Sequence, residues 1–302
     1  MAELVLAVDL GGTNLRAAVL DAQGGIRVRR SQPTPRQDTC PDALLALVGG
    51  ILAEQPVTGA VIGVPGRIDH ANGALEHAPN LPPHWPEALR EELLAGHLGV
   101  PVSLANDADL ATVGEVRYGA GRGAADVVYV TISTGIGAGV VLGGRLVRGR
   151  RSVAELGHTV VDLVALRSGA PATAEDLGSG TALGRAAAAR GLPASGAQVA
   201  ALVDAGDARA TEVFAQVAEV AAVAVTNAAH LFAPEAVVLG GGMGRDHRLP
   251  DLVRGMLAER GPRGLEPPIA VRTAELGDDA GLIGAAGWAA LTAPAGDREQ
   301  PR

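Results

Sequence analysis

Near the start of the chain, the run Asp9-Leu10-Gly11-Gly12-Thr13-Asn14 combines a carboxylate, two glycines, a hydroxyl and an amide. Glycine lets a backbone approach a ligand and turn its N–H groups outward. Thr13 and Asn14 add side-chain donors, and the set suits an anion such as phosphate. The same kind of cluster recurs at Ser133-Thr134-Gly135-Ile136-Gly137-Ala138-Gly139 and at Gly240-Gly241-Gly242-Met243-Gly244. A fourth group, Asn106-Asp107-Ala108-Asp109, offers carboxylates and an amide. Plain structure gives the same patterns: glycine turns close ordinary hairpins, and an acid before a helix is often only its N-cap.

Each cluster follows an element able to position it. Residues 4–8 are an apolar run and residues 15–20 return from the turn, which reads as two paired strands with a cup at the tip. Residues 127–146 repeat that plan, and residues 236–239 lead into the third cluster. Three strand-to-glycine junctions suggest one ligand held from three sides. Asn106-Asp107 falls where a strand at 102–105 feeds a helix at 110–116, which places a carboxylate at the sheet edge, near any ligand in the crevice there.

The commoner phosphate loops do not fit. All 25 basic Lys+Arg positions are arginine, so the P-loop lysine is missing, and GxGxG at Gly135, Gly137 and Gly139 matches neither the dinucleotide fingerprint nor the protein-kinase loop. Phosphate would be held by backbone N–H groups and hydroxyls, with a metal ion supplying positive charge.

At 302 residues and 30.3 kDa the chain has room for two domains with real cores, and 47% hydrophobic content excludes disorder. Aromatics are only 2%, so Ala, Val and Leu must fill the core and base stacking is not the expected binding mode. A net charge of -8 argues against nucleic acid or an anionic membrane as partner. Cys40 is the single cysteine, which allows no internal disulfide and no zinc cluster and favours a reducing cytoplasm. The N-terminus passes almost directly into the first strand without the pattern of a signal peptide.

Further along, residues 27–41 read as a loop, and the runs at 27–30 and 148–151 as solvated arginine edges. Helices are expected at 42–54, 87–98, 181–190, 196–205, 213–232 and 280–291, and strands at 60–64 and 269–272. The helix at 213–232 is apolar but carries Glu219, Asn227 and His230, which suits a buried helix better than a membrane span. Residues 67–86 are turn-rich, readable as a binding loop or a surface meander, with Trp85 as a packing anchor. Residues 294–302 read as a frayed polar tail.

Taken together, these residues resemble the ROK family of bacterial sugar kinases and repressors. The stretch from Ile132 to His158 is similar to the family signature, and DLGGTN, GVPGRID, HAPNLP, ANDAD, STGIGAG, AELGH, EDLGSGTAL, VVLGGGMG and the final GAAG stand in the expected order. Among the family's members the sequence is most similar to the glucokinases. The resemblance implies the α/β actin-like ATPase fold, related to ribonuclease H, hexokinase, Hsp70 and actin, with two α/β lobes around a central cleft. It implies a small lobe at 1–110 to which a C-terminal helix at 280–292 returns, a large lobe at 111–279, and a tail at 293–302.

The resemblance also assigns roles. Asp107 becomes the general base that accepts the C6 hydroxyl proton of a hexose, glucose favoured, as that oxygen attacks the γ-phosphate of ATP with Mg²⁺ bound. Gly66, Asn80, Asn106, Asp107, Glu155, His158 and Glu175 match sugar-binding positions. Gly11, Gly12, Thr13, Asn14, Thr134, Gly135, Gly137 and Gly139 would meet phosphate, Gly241 and Gly242 the adenosine, and Asp9 the hydrated magnesium. Homodimers or homotetramers are common in the family.

The chain departs from the family at one place. Most members carry a CxCGxxGC zinc cluster between the GH histidine and the following glutamate, where this chain reads TVVDLVALRSGAPATA between His158 and Glu175. No zinc is therefore expected, and the orientation of His158 must come from something else. A non-catalytic sugar or nucleotide sensor, or a kinase for fructose, mannose or an N-acetylamino sugar, is the alternative. A DNA-binding repressor is disfavoured by charge and by the absence of a domain ahead of the first strand.

Overall fold

The computed structural model describes residues 4–35, 39–78, 81–151 and 153–292. Asn80 and the tail at 293–302 lie outside the described residues. Two compact units divide the chain: unit 1 is Met1–Arg122, Val141–Val153 and Asp278–Arg302, and unit 2 is Gly123–Val140 and Ala154–Gly277.

Unit 1 begins with β1 (Leu4–Leu10) and β2 (Asn14–Asp21), an antiparallel pair in register from Leu4↔Asp21 to Leu10↔Leu15. Leu6, Ala7, Val8 and Leu10 are all buried, so β1 is covered on both faces, as an inner strand must be. A third strand, β3 (Ile26–Pro33), pairs antiparallel with β2, although residues 27–41 read as a loop. Its arginines hid it: β3 is a mostly exposed edge strand, where charge discourages a further strand from adding. Thr39 caps α1 (Cys40–Glu54), whose Leu44, Val48 and Ile51 bury against the sheet. β4 (Gly59–Val64) then pairs parallel with β1.

The turn-rich stretch holds regular structure that its sequence did not reveal. β5 (Arg67–Asp69) and β6 (Ala74–His77) form a small antiparallel hairpin, and Trp85 is fully buried behind it in the same core cluster. The helix expected at 87–98 is split into a 3-10 turn at Pro86–Ala88 and α2 (Glu91–Leu98). β7 (Val102–Asn106) completes the sheet order β3-β2-β1-β4-β7 and leads into α3 (Asp107–Tyr118).

A second sheet repeats this order. β8 (Val127–Ile132), β9 (Ile136–Leu142), β10 (Arg145–Leu146), β11 (Ala236–Gly240) and β12 (Ala270–Thr273) form a sheet ordered β10-β9-β8-β11-β12, with β8, β11 and β12 parallel. Between β10 and β11 come α4 (Leu163–Ser168), α5 (Ala174–Gly178), α6 (Gly180–Ala188), α7 (Gly196–Asp204) and α8 (Ala208–Phe232). α8 has the length and apolarity to cross a membrane, yet Val213, Val217, Ala221, Val225 and Ala228 are buried inside unit 2. After β11 come α9 (Gly241–Gly244) and α10 (Arg248–Arg260), and α11 (Ala280–Thr292) ends the description.

The first stretch of unit 1 runs to Arg122, and α3 packs against α11 within that unit. Small residues permit the crossing: a Cβ on Gly284 would sit 1.9 Å from the Leu110 carbonyl oxygen, and one on Gly114 would sit 2.4 Å from that of Ala280. Gly284→Ala should therefore lower stability by roughly 1–3 kcal/mol or more, the usual cost of overpacking, and the midpoint of urea unfolding checks it.

Candidate functional site

The first hairpin turn is built so that its carbonyl oxygens are used within the fold. Gly11 N–H donates to the Asn14 carbonyl at 3.0 Å, and Thr34, just past β3, donates its N–H to the Thr13 carbonyl and its hydroxyl to that of Gly11. Thr13 and Asn14 are left exposed. Asp9 does not stand free beside them. It lies opposite Arg16 in the strand pairing, and Arg16 Nε donates to Asp9 Oδ2 at 2.9 Å with Nη2 on the same oxygen. Arg16 also donates to the Asp278 carbonyl, and Asp279 pairs with Arg29 at 2.8 Å.

At the β7–α3 junction, two adjacent residues take separate roles. Asn106 is the N-cap: its Oδ1 accepts from the Ala108 and Asp109 N–H groups, and its Nδ2 donates to the Gly66 carbonyl at 3.0 Å. Asp107, in the first helical position, is exposed and shares the Ala108 N–H with the cap, its Oδ1 accepting at 2.8 Å. Gly66 has φ +130° and a Cβ there would meet the His77 carbonyl oxygen at 2.0 Å, so only glycine closes this turn. The structure thus brings Gly66, Asn106 and Asp107 together in unit 1.

The β5–β6 hairpin beside Gly66 is anchored by the second arginine run, which is exposed but also makes ion pairs. Arg151 pairs with Glu76 at 2.7 Å, and Arg67 pairs with the same carboxylate at 3.1 Å. Asp69 accepts from Asn72, from the Ala71 N–H and from Arg150. Burial pushes the Asp69 carboxyl up, but these hydrogen bonds and the Arg150 charge hold it below its ordinary range. Arg148 lies over the Trp288 ring at 5.5 Å.

In unit 2 the Ser133–Gly135 turn is held in the same way as the first. Gly180 N–H donates to the Ser133 carbonyl at 2.6 Å, and the Thr181 hydroxyl donates to that of Thr134 at 2.6 Å. Gly137 and Gly139 lie beyond the turn, in β9. A cavity of about 730 Å³ opens beside this turn, lined by Ser133, Thr134, Gly180, Thr181, Phe214, Gly242, Met243 and Asp246 among others. That volume suits a molecule of nucleotide size. Gly241 begins α9, and Gly242 is exposed at the cavity.

Glu155, His158 and Glu175 also belong to unit 2. Glu155 and His158 flank a 3-10 turn with 3.9 Å between His158 Nε2 and Glu155 Oε2, both exposed, while Glu175 Oε2 accepts the Ile136 N–H at 2.9 Å. Arg16, Thr34, Gly180 and Thr181 are the supporting residues that sequence reasoning did not single out. The Asp9↔Arg16 pairing was open to detection from the hairpin register, but the Thr34 and Gly180 contacts join separate segments and carry no local pattern.

Two α/β sheets of one repeated strand order, each with an anion-suited hairpin turn, define an actin-like ATPase fold. The family model for the ROK family matches residues 5–291, and the chain belongs to that family. A glucokinase of Streptomyces coelicolor is 31% identical over 310 residues, covering 94% of this chain and 96% of that protein. An N-acetylmannosamine kinase of Shigella boydii is 33% identical over 294 residues, covering 93% and 96%. The solved structure of a ROK family glucokinase from Streptomyces griseus in complex with glucose and AMPPNP superimposes with TM-score 0.78 at 33% identity, covering 94% of this chain and 98% of that one. These relatives support a sugar kinase that acts on a hexose and uses ATP.

The family's zinc cluster does not fit the residues present. Among the described residues no group of three or more His, Cys, Asp or Glu side chains could hold a metal. Near His158 the remaining acids are engaged, Asp162 capping α4 and Asp176 bonded to Thr173. Cys40 is buried in α1 of unit 1, where burial pushes its thiol up to about 12. Asn106→Ala should remove both the α3 cap and the tie to Gly66, with a loss of about 1–2 kcal/mol in thermal or urea unfolding.

Proposed function

We propose that this protein transfers the γ-phosphoryl group of ATP to the C6 hydroxyl of a hexose, with glucose the favoured substrate. The observation that carries the reading is the division of labour at the β7–α3 junction. Asn106 is the N-cap and accepts from the Ala108 and Asp109 N–H groups, while the Asp107 carboxylate, which shares the Ala108 N–H through Oδ1 at 2.8 Å, remains exposed. A carboxylate in that position can accept the hydroxyl proton as the oxygen attacks.

Phosphoryl transfer asks the protein mainly for position and charge stabilisation. Gly12, Thr13 and Asn14 in unit 1, and Thr134 and Gly135 in unit 2, supply donors to phosphate, Gly11 closes the first turn through its N–H on the Asn14 carbonyl, and the 730 Å³ cavity takes the nucleoside against Gly242. Asp9 keeps its second carboxylate oxygen for the water shell of magnesium while Arg16 fixes the first. When bound, that ion neutralises charge developing on the β- and γ-phosphates. Asn106 has one amide hydrogen left after its structural bonds, and with Asn80, Glu155, His158 and Glu175 it is assigned to sugar hydroxyls. The similarity to an N-acetylmannosamine kinase favours an N-acetylamino hexose as second choice.

Asp107→Asn keeps the shape and removes the base. It should bind sugar nearly as tightly as the parent in calorimetry while turnover falls by roughly 10²–10⁴-fold. Turnover close to the parent would remove Asp107 from the mechanism.

A further inference from the structure

The segment between His158 and Glu175 folds into a closed excursion with its own supports. Ala174 N–H donates to the Thr159 carbonyl at 2.9 Å, Val161 N–H donates to the Ala172 carbonyl at 2.9 Å, and Val160 and Thr173 form an antiparallel bridge. At the tip, α4 is capped by Asp162 at its start and by left-handed Gly169 at its end. At its far end, Thr173 and Asp176 make a reciprocal capping box: the Thr173 hydroxyl oxygen accepts the Asp176 N–H, and Asp176 Oδ2 accepts the Thr173 N–H.

Apolar burial contributes little to this order. Leu163, Val164 and Leu166 are 63%, 77% and 50% exposed, so hydrogen bonds and caps must hold the excursion. The box sits on either side of Glu175 and sets the first turn of α5, from which Glu175 reaches the Ile136 N–H. The bridge at Val160 lies two residues after His158, whose own N–H donates to the Glu155 carbonyl.

We infer that this excursion is a metal-free brace, and that Thr173 and Asp176 are positioning residues that set His158 and Glu175 for the sugar. The inference rests on the proposed sugar-kinase reading only for what the brace serves; the brace itself stands on the hydrogen bonds named above. It assigns to hydrogen bonds the role that a zinc cluster would fill.

The test compares the full-length parent with Thr173→Val, which removes the hydroxyl at constant shape, and Thr173→Ser, which restores it. Three quantities are measured: zinc per chain together with melting temperature before and after chelation, amide exchange at Val161 and Ala174, and KM for sugar and for ATP. The brace predicts no stoichiometric zinc and an unchanged melting temperature in chelator. It also predicts roughly five- to tenfold faster exchange in Thr173→Val, as expected for loss of one cap. Sugar KM should rise by a comparable factor at constant ATP KM, with Thr173→Ser returning both exchange and KM.

One zinc per chain, a chelator-dependent melting temperature, or unchanged exchange in Thr173→Val would overturn the brace. Faster exchange with an unchanged sugar KM would overturn the positioning role. If the parent phosphorylates no sugar, the kinase reading fails, while the metal and exchange measurements still decide the brace.

Discussion

A turn can receive a phosphate through its backbone only if its carbonyl oxygens are kept from facing the anion. In a chain without lysine no side-chain ammonium offsets a misplaced carbonyl. Both hairpin turns meet that condition in the same way. Thr34 occupies the carbonyls of Gly11 and Thr13, and Gly180 with Thr181 occupies those of Ser133 and Thr134. In each case backbone N–H and a threonine hydroxyl from a segment outside the hairpin do the holding. The repeated strand order of the two sheets therefore extends to the chemistry of their turns.

The same economy governs the side chains around them. Asp9 is a strand residue whose cross-strand partner is Arg16, so the carboxylate assigned to magnesium is oriented by the hairpin register itself. Asn106 ties the α3 N-terminus to the Gly66 turn and leaves Asp107 exposed beside it. The Gly66 turn leads into a hairpin that Arg150 and Arg151 anchor through Asp69 and Glu76. Structure and proposed chemistry share these residues, so substitutions at Arg16 or Asn106 act on both, whereas Asp107 can be changed with less consequence for the fold.

Local patterns carried much of this. The β1–β2 hairpin was readable because apolar runs flank a polar glycine turn, and the Asn106-Asp107 junction because a strand run meets a helical one. What stayed hidden depends on distant partners. β3 reads as a loop because Arg27, Arg29 and Arg30 sit on an exposed edge, where pairing with β2 decides the conformation. Pairing of β5 with β6 was masked by the Asn72-Gly73 turn and the prolines that follow. Which member of Asn106-Asp107 caps the helix was equally invisible, since either type can. The order of the segment between His158 and Glu175 rests on backbone bonds and caps rather than on an apolar period, so α4 left no helical signature of burial.

Release of ADP by the purified parent protein, followed in ATP and Mg²⁺ against glucose, mannose, fructose and their N-acetylamino relatives, tests the central claim most directly. The account predicts ADP release that depends on added sugar, highest with glucose. ADP release absent with every sugar, while sugar still raises the melting temperature, would contradict it and leave a sugar-binding protein with a kinase's fold.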